Sequence, residues 1–314
     1  MARDVFSPYT SGIMSLRFWA PFVAVVWSGC AGPRAFTLDP DLVVSVSDAR
    51  RGLMKDRPYL AHFQKGGLDL YFVAGHHENL ASSPTFVLIE RAFERFPVAS
   101  LIVEGRPRAA GLIPPARAER GSTPDEYKWG ETAYAVELAG MKKIPATGGE
   151  PTGAQQFAAL MSAGFDRADA LGVGFVQMVP AFRSQGRLKK DGAAALYAET
   201  KAWNLREWGL VDDGKSDYAA FLEWHRLKTG KEFDPDSVTY EMLRPDARGA
   251  YLQRLSETMA SIRNRFLAGV VSEELRARGK VLVVYGNGHH AALRGALEAA
   301  LGPPVYEGDL SETR

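Results

Sequence analysis

Four of the six histidines occur as two adjacent pairs, each behind a short apolar run and a glycine. One pair is His76-His77 in LDLYFVAGHHEN (68–79), and the other is His289-His290 in VLVVYGNGHHAALRGALEAA (281–300). An apolar run into glycine reads as a strand entering a turn, and the alanine-rich continuation of the second stretch reads as a helix. Imidazole titrates near neutrality and ligates borderline metal ions, so histidines at strand ends can move protons or hold a cation. A single histidine there is more simply a hydrogen-bonded structural residue; two equivalent pairs favour a shared site. Two carboxylates sit at comparable points. Glu104 closes the apolar run VASLIVE (98–104), and Glu150 follows the short strand KIPATGG (143–149). Arg106 and Arg108, just beyond Glu104, offer it a plain ion-pair partner.

The elements that must position these residues follow from the pattern. Hydrophobic content of 46% and charged content of 24% are ordinary for a globular chain of 314 residues. A net charge of +1, with no run of Lys or Arg longer than two, gives no electrostatic footprint for nucleic acid. From residue 68 onward strands and helices alternate. SPTFVLIERAFERF (83–96) has Ser83 as N-cap and Pro84 at the first helical position. TPDEYKWGETAYAVELAGMKK (123–143) and GAQQFAALMSAG (153–164) read as further helices. This alternation predicts an α/β domain with a mostly parallel sheet flanked by helices. Between about 166 and 280 nearly everything has helical period, which predicts a large helical insertion before the last βαβ unit. Ligands of open parallel sheets bind at the carboxyl ends of the strands, where both histidine pairs, Glu104 and Glu150 would lie. His62 and His225 have ordinary amphipathic surroundings, and the insertion aromatics Trp203, Trp208, Tyr218, Phe221 and Trp224 have core spacing.

The single cysteine, Cys30, follows Arg17, the apolar stretch FWAPFVAVVW (18–27) and Ser28-Gly29. A basic residue, about ten apolar residues and small residues form a secretory leader layout, too short for the roughly 20 residues that span a bilayer. Small residues before a lone cysteine resemble the lipobox of bacterial lipoproteins, although Trp27 stands where a leucine-like residue is usual. The expected organisation is a signal peptide over 1–30 with acylation at Cys30, a tether and entry segment over 31–64 and one α/β domain over 65–314. The expected location is the bacterial cell envelope, lipid-anchored to the outer membrane and facing the periplasm. Met14 offers an alternative start.

The stretch around the second pair also fits a dinucleotide fingerprint, Gly286-Asn-Gly288-His-His-Ala291, with Glu307 after it. Too little chain remains to complete a nucleotide-binding half, and two histidines crowd the place a pyrophosphate would approach. Other residues carry a different resemblance. Gly286-Asn-Gly-His289 resembles the G-x-x-H motif of TraB/GumN and Tiki proteins, and GGEPTGAQQFAAL (148–160) resembles their G-L-E-T-x-x-x-Q segment. Arg263-Asn264 with Leu267-Ala268 resembles their helical R-[DN]-x-x-[ML]-A motif, and His77-Glu78-Asn79 the H-D-N of ChaN-type lipoproteins. The order of the motifs over about 65–305 is that of the superfamily joining these groups to the erythromycin esterases. The first motif departs from it: counted from Gly75, G-x-x-H ends on Glu78 rather than on histidine.

The resemblance implies an ester or peptide hydrolase with a small-molecule or peptide substrate, using His77, Glu104, Glu150, Arg263 and His289. His77, Glu104 and His289 would be the ligands of a divalent Zn, Mn or Co ion that lowers the pKa of a bound water. Without metal, a histidine oriented by Glu104 or Glu150 would be the general base, and Arg263 would steady the oxyanion. No G-x-S-x-G elbow is present for a serine nucleophile. The alternatives are a haem- or iron-binding lipoprotein of ChaN type and a non-catalytic scaffold. Of each pair, His77 and His289 are expected to face the site, His76 and His290 to pack elsewhere.

Overall fold

The computed structural model describes residues 36–311 except Ala116 and Pro124. The leader and Cys30 lie outside the described residues. A helix α1 (Val46–Arg50) precedes a hairpin of β1 (Tyr59–Lys65) and β2 (Leu68–Gly75). Then come α2 (Pro84–Arg95), β3 (Ser100–Pro107), the two-residue β4 (Leu112–Ile113), α3 (Gly130–Met141) and β5 (Ala146–Glu150). The helical stretch holds α4 (Gly153–Ser162), α5 (Arg167–Ser184), α6 (Arg187–Asp191), α7 (Ala193–Trp208), α8 (Tyr218–Thr229) and α9 (Tyr251–Arg278). The chain then returns to the sheet with β6 (Lys280–Gly286), α10 (Asn287–Leu301) and β7 (Tyr306–Gly308).

The fold is α/β. Seven strands form one sheet in the order β4-β5-β3-β6-β2-β1-β7. Its centre, β5-β3-β6-β2, is parallel, and β4, β1 and β7 join it antiparallel. All eight residues of β2 are buried, as a strand covered on both faces requires. Alternation sends Leu70, Phe72 and Ala74 of β2 to one core and Tyr71 and Val73 to the other. The first core is closed by α10, α1 and the later half of α9, and the second by α2 and α3. A third core joins α4, α5, α7, α8 and the start of α9, and takes in Phe221 and Trp224.

Two stretches differ from the sequence expectation. Over 31–64 an irregular tether and entry segment is expected; from Phe36 the described chain is packed, with Phe36, Leu38, Val43, Val46 and Ala49 buried in the first core. Val46 and Ala49 lie three apart on α1, too short a helix to show a period, and Phe36, Leu38 and Val43 precede it outside any helix or strand. The Glu257 carboxylate accepts from the Val46 and Ser47 amides at 2.8 and 3.0 Å and so caps α1 from α9. The turn between β1 and β2 is Gly66-Gly67, with φ of 59° and 77°, the two-residue hairpin that only glycine-like residues close without strain. The other difference is α3, which begins at Gly130 instead of near Thr123. The residues before it are pinned to the chain leaving β2: Tyr127 donates its amide to the Asn79 carbonyl and Ala81 to that of Asp125. Tertiary pairing has overridden helical period there.

Candidate active site

Thr85 in the first turn of α2 shapes the exit from β2. Its hydroxyl accepts from the His76 amide at 3.0 Å and donates to the His76 carbonyl at 3.1 Å. A Cβ on Gly75 would lie 2.8 Å from the Thr85 methyl, so this close turn needs the glycine. The His76 ring goes to Asn287 at 3.1 Å, while His77 turns into an open cleft. His77 Nδ1 donates to Glu131 Oε1 at 2.7 Å, and the ring is 69% exposed, leaving Nε2 to the cleft. Glu131 also accepts from the Glu78 amide at 3.4 Å. Its hydrogen bond, helped by the charges of Glu104 and Glu131 and opposed by partial desolvation and Arg263, pushes His77 up to about 9.

Across the parallel strands, Glu104 of β3 and Glu150 at the end of β5 are each 8% exposed. Arg263 of α9 joins them. Its Nε donates to Glu150 Oε2 and its Nη2 to Glu150 Oε1, both at 2.7 Å, and Nη2 also reaches Glu104 Oε1 at 2.8 Å. Buried carboxylates persist only with such partners. The Tyr285 hydroxyl donates to Glu150 Oε1 at 3.1 Å, and the Gly286 amide to Glu104 Oε2 at 2.8 Å. A Cβ on Gly149 would collide with the Tyr285 hydroxyl, so the bare backbone there lets that side chain of β6 reach past β3 to Glu150. Burial works to raise the Glu104 carboxyl, but the charges of His289, Arg263 and His77 hold it well below the usual range. Burial works to lower the Arg263 guanidinium, and the two glutamates carry it above its ordinary value. Burial, then the Glu150 and Glu104 charges, raise Tyr285, which stays a phenol and a donor.

The second histidine pair divides on the first turn of α10. His289 Nδ1 is bonded to the Asn264 amide oxygen, and its Nε2 lies 3.3 Å from Glu104 Oε1. His290 is fully buried with Nδ1 at 2.7 Å from the Tyr59 hydroxyl, its ring packed among Phe63 and Phe72. Burial pushes it down to about 3, so it is neutral. His62 pairs with Asp69 at 3.0 Å, and His225 belongs to the helical region.

The structure thus brings His77, Glu104, Glu150, Arg263 and His289 to one end of the sheet. Their connections differ from the sequence expectation in three ways. The carboxylate that orients His77 is Glu131, whereas the expected pairing of a histidine with Glu104 falls to His289. Glu150 faces Arg263 rather than an imidazole. Glu104 is paired with Arg263, while Arg108 goes to Thr147 and Glu274. Sequence reasoning missed Glu131, Asn264 and Tyr285. An acidic residue in a helix's first turn reads as a complement to the helix dipole, so nothing in the sequence singles out Glu131. Asn264 stood beside Arg263 in the helical motif without a role of its own.

Whether these residues fit a metal can be tested on the donors. His77 and His289 both have Nδ1 tied to an oxygen acceptor, the arrangement that aims Nε2 outward in ligating histidines. Glu104, however, is bonded through both oxygens, and the Arg263 guanidinium lies against it and Glu150. Among the described residues no group of three or more His, Cys, Asp or Glu is arranged to hold an ion. As arranged, the set fits proton transfer, with the guanidinium as the resident cation.

The cleft has two lobes that share His77 and Arg263. The larger, about 450 Å³, is lined by Glu104, Glu131, Lys128 and the 62% exposed Trp129 among others. The smaller, about 320 Å³, lies toward α1 and α10. No protein-family model, curated protein or solved structure matches the chain.

Proposed function

We propose that the protein is a hydrolase of ester or peptide bonds that works by metal-free acid–base chemistry at this cleft. The observation that carries the reading is the His77–Glu131 pair, open on its Nε2 side and beside Arg263. In that geometry Nε2 takes a proton from a water attacking the carbonyl carbon, and Glu131 stabilises the imidazolium that forms. His77 then returns the proton to the leaving oxygen or nitrogen as the carbon–heteroatom bond breaks. Charge developing on the carbonyl oxygen meets the guanidinium of Arg263, whose Nη1 makes no hydrogen bond among the described residues. Glu104 and Glu150 hold that guanidinium in place. The motif order shared with the TraB/GumN, Tiki and erythromycin esterase groups supports the same reaction class.

Screening the full chain against a panel of p-nitrophenyl esters and short peptides tests the reading, with His77→Ala as the comparison. Hydrolysis by the wild type that is lost in His77→Ala and unaffected by chelator is the expected result. A stoichiometric Zn, Mn or Co in protein purified without added metal, with activity lost to chelator, would replace it by the metal-dependent form. A ligated Soret band on adding haem, with no hydrolysis, would replace it by the binding protein. With Cys30 acylated, the enzyme would work at the envelope surface facing the periplasm.

A further inference from the structure

The smaller lobe has a different electrical character from the larger. Glu78, Glu104 and Glu131 line the larger one, whereas no Asp or Glu is among the described residues lining the smaller. Arg50, His76, His77, Arg263, Asn287 and His289 supply its polar wall. Arg263 is ion-paired with Glu104 and Glu150, and its remaining Nη1 is assigned to the scissile carbonyl, so Arg50 is the cation left for a further anion. Its Nε and Nη1 are buried and have no hydrogen-bond partner, and among the described residues its guanidinium makes no ion pair. The nearby carboxylates are occupied: Glu257 by the amides of α1, Glu241 by Arg244, and Asp246 by the Arg248 amide. Burial, then the charge of Arg244, push the Arg50 guanidinium below its ordinary value. A guanidinium with unmet N–H groups in a cavity wall is a fork waiting for an oxyanion.

Taking the hydrolase reading as its starting point, we propose that the smaller lobe binds an oxyanion group of the substrate, carboxylate or phosphate, with Arg50 as its anchor. The anion then sits on one side of His77 and Arg263, and the scissile carbonyl and leaving group extend into the larger lobe. The substrate class is an acidic ester or peptide, and the anion sets which bond reaches His77.

The test separates binding from turnover. The full chain is titrated at constant ionic strength and neutral pH with inorganic phosphate and, separately, with acetate, followed by calorimetry. Arg50→Met keeps the aliphatic stem while removing the fork, and a melting curve checks its fold. Arg91→Met, whose arginine bonds the Asp309 carbonyl elsewhere, is the control. Saturable binding of at least one anion is expected, weakened tenfold or more in Arg50→Met and unchanged in Arg91→Met. Phosphate binding without acetate binding assigns a phosphate group, and the converse a carboxylate. Failure of both anions to bind the wild type, or equal binding by Arg50→Met, overturns the proposal. Arg50-dependent binding in a protein that hydrolyses no ester or peptide keeps the anion site and removes the hydrolase. In an active enzyme, Arg50→Met should raise KM for an anionic ester about tenfold and leave kcat nearly unchanged.

Discussion

His76 and His77 share a peptide bond and almost nothing else: one ring is held by Asn287, the other by Glu131 with its far nitrogen free. His77→Ala should therefore abolish hydrolysis without unfolding the protein, while lowering the melting temperature because the buried Glu131 carboxylate loses its imidazole partner. His76→Ala should keep most of the activity. Since His77 is raised to about 9, its basic form is scarce at neutral pH and grows about tenfold per unit. The rate should climb from pH 6 to about 9 and then level. Glu131→Gln removes the largest cause of the shift, so the limb should move to lower pH with a lower plateau; a flat profile between pH 6 and 9 would rule out His77 as the base. His290 has the opposite sign. Its folded pKa of about 3 lies below the ordinary 6.5, so between those values the unfolded chain binds a proton that the native one does not. Stability then falls as pH falls, by up to about 1.4 kcal/mol per unit. Urea unfolding at pH 7 and pH 5 should show a smaller drop for His290→Gln than for wild type; equal drops would sink the assignment. The paired histidines were legible because glycine-flanked strand ends are distinctive. Glu131 was not, because its contact with His77 spans fifty-four residues and leaves no local pattern.

On the scale of the element, α9 does most of the positioning. Arg263 reaches the two glutamates, Asn264 next to it is fully buried against His289, and Glu257 caps α1 from the same helix. Successive helical residues differ by about 100° in direction, so one helix serves sites on several sides. Arg263→Ala leaves two buried carboxylates facing each other and should cost about 3 to 5 kcal/mol in denaturant unfolding. Arg263→Ala with Glu150→Gln should recover part of that loss; no recovery would show that the cost is packing alone. Arg263→Lys keeps charge but not the bidentate fork, and should stay well below wild-type activity. The period of α9 was plain in the sequence. The false start of α3 was equally periodic, and only the pairing of residues 125–127 with 79–81 explains why that stretch is not helix.

For the whole molecule, the continuous apolar runs of β2, β3 and β6 announced a parallel centre, since strands covered on both faces have no polar alternation. The final short strand β7 was also legible, in the run ending at Glu307. The strands β4 and β1 were not: β4 has two residues, and β1 mixes His62, Gln64 and Lys65 into a short run beside the hairpin. No helix among the described residues is long and apolar enough to cross a membrane. The attachment expected from the sequence is acylation of Cys30, which lies outside the described residues. Mass spectrometry of the protein from its membrane fraction should find an acylated Cys30 followed by Ala31. An intact N-terminus, or a Cys30→Ala protein that fractionates identically, would remove the anchor.

The place of β6 in the sheet has a consequence for the order of assembly. It lies between β3 and β2, yet it is the sixth strand to leave the ribosome, and everything from β3 to the end of α9 is made before it. Until residues 280–286 arrive, β2 and β3 present facing edges with no partner, and Glu104 lacks both the Gly286 amide and His289. The parallel centre and the candidate site therefore close together and late, around a strand whose pairings are all long-range. A nascent chain arrested just before Lys280 has most of its helices but an incomplete site, and its open edges make it a client for chaperones.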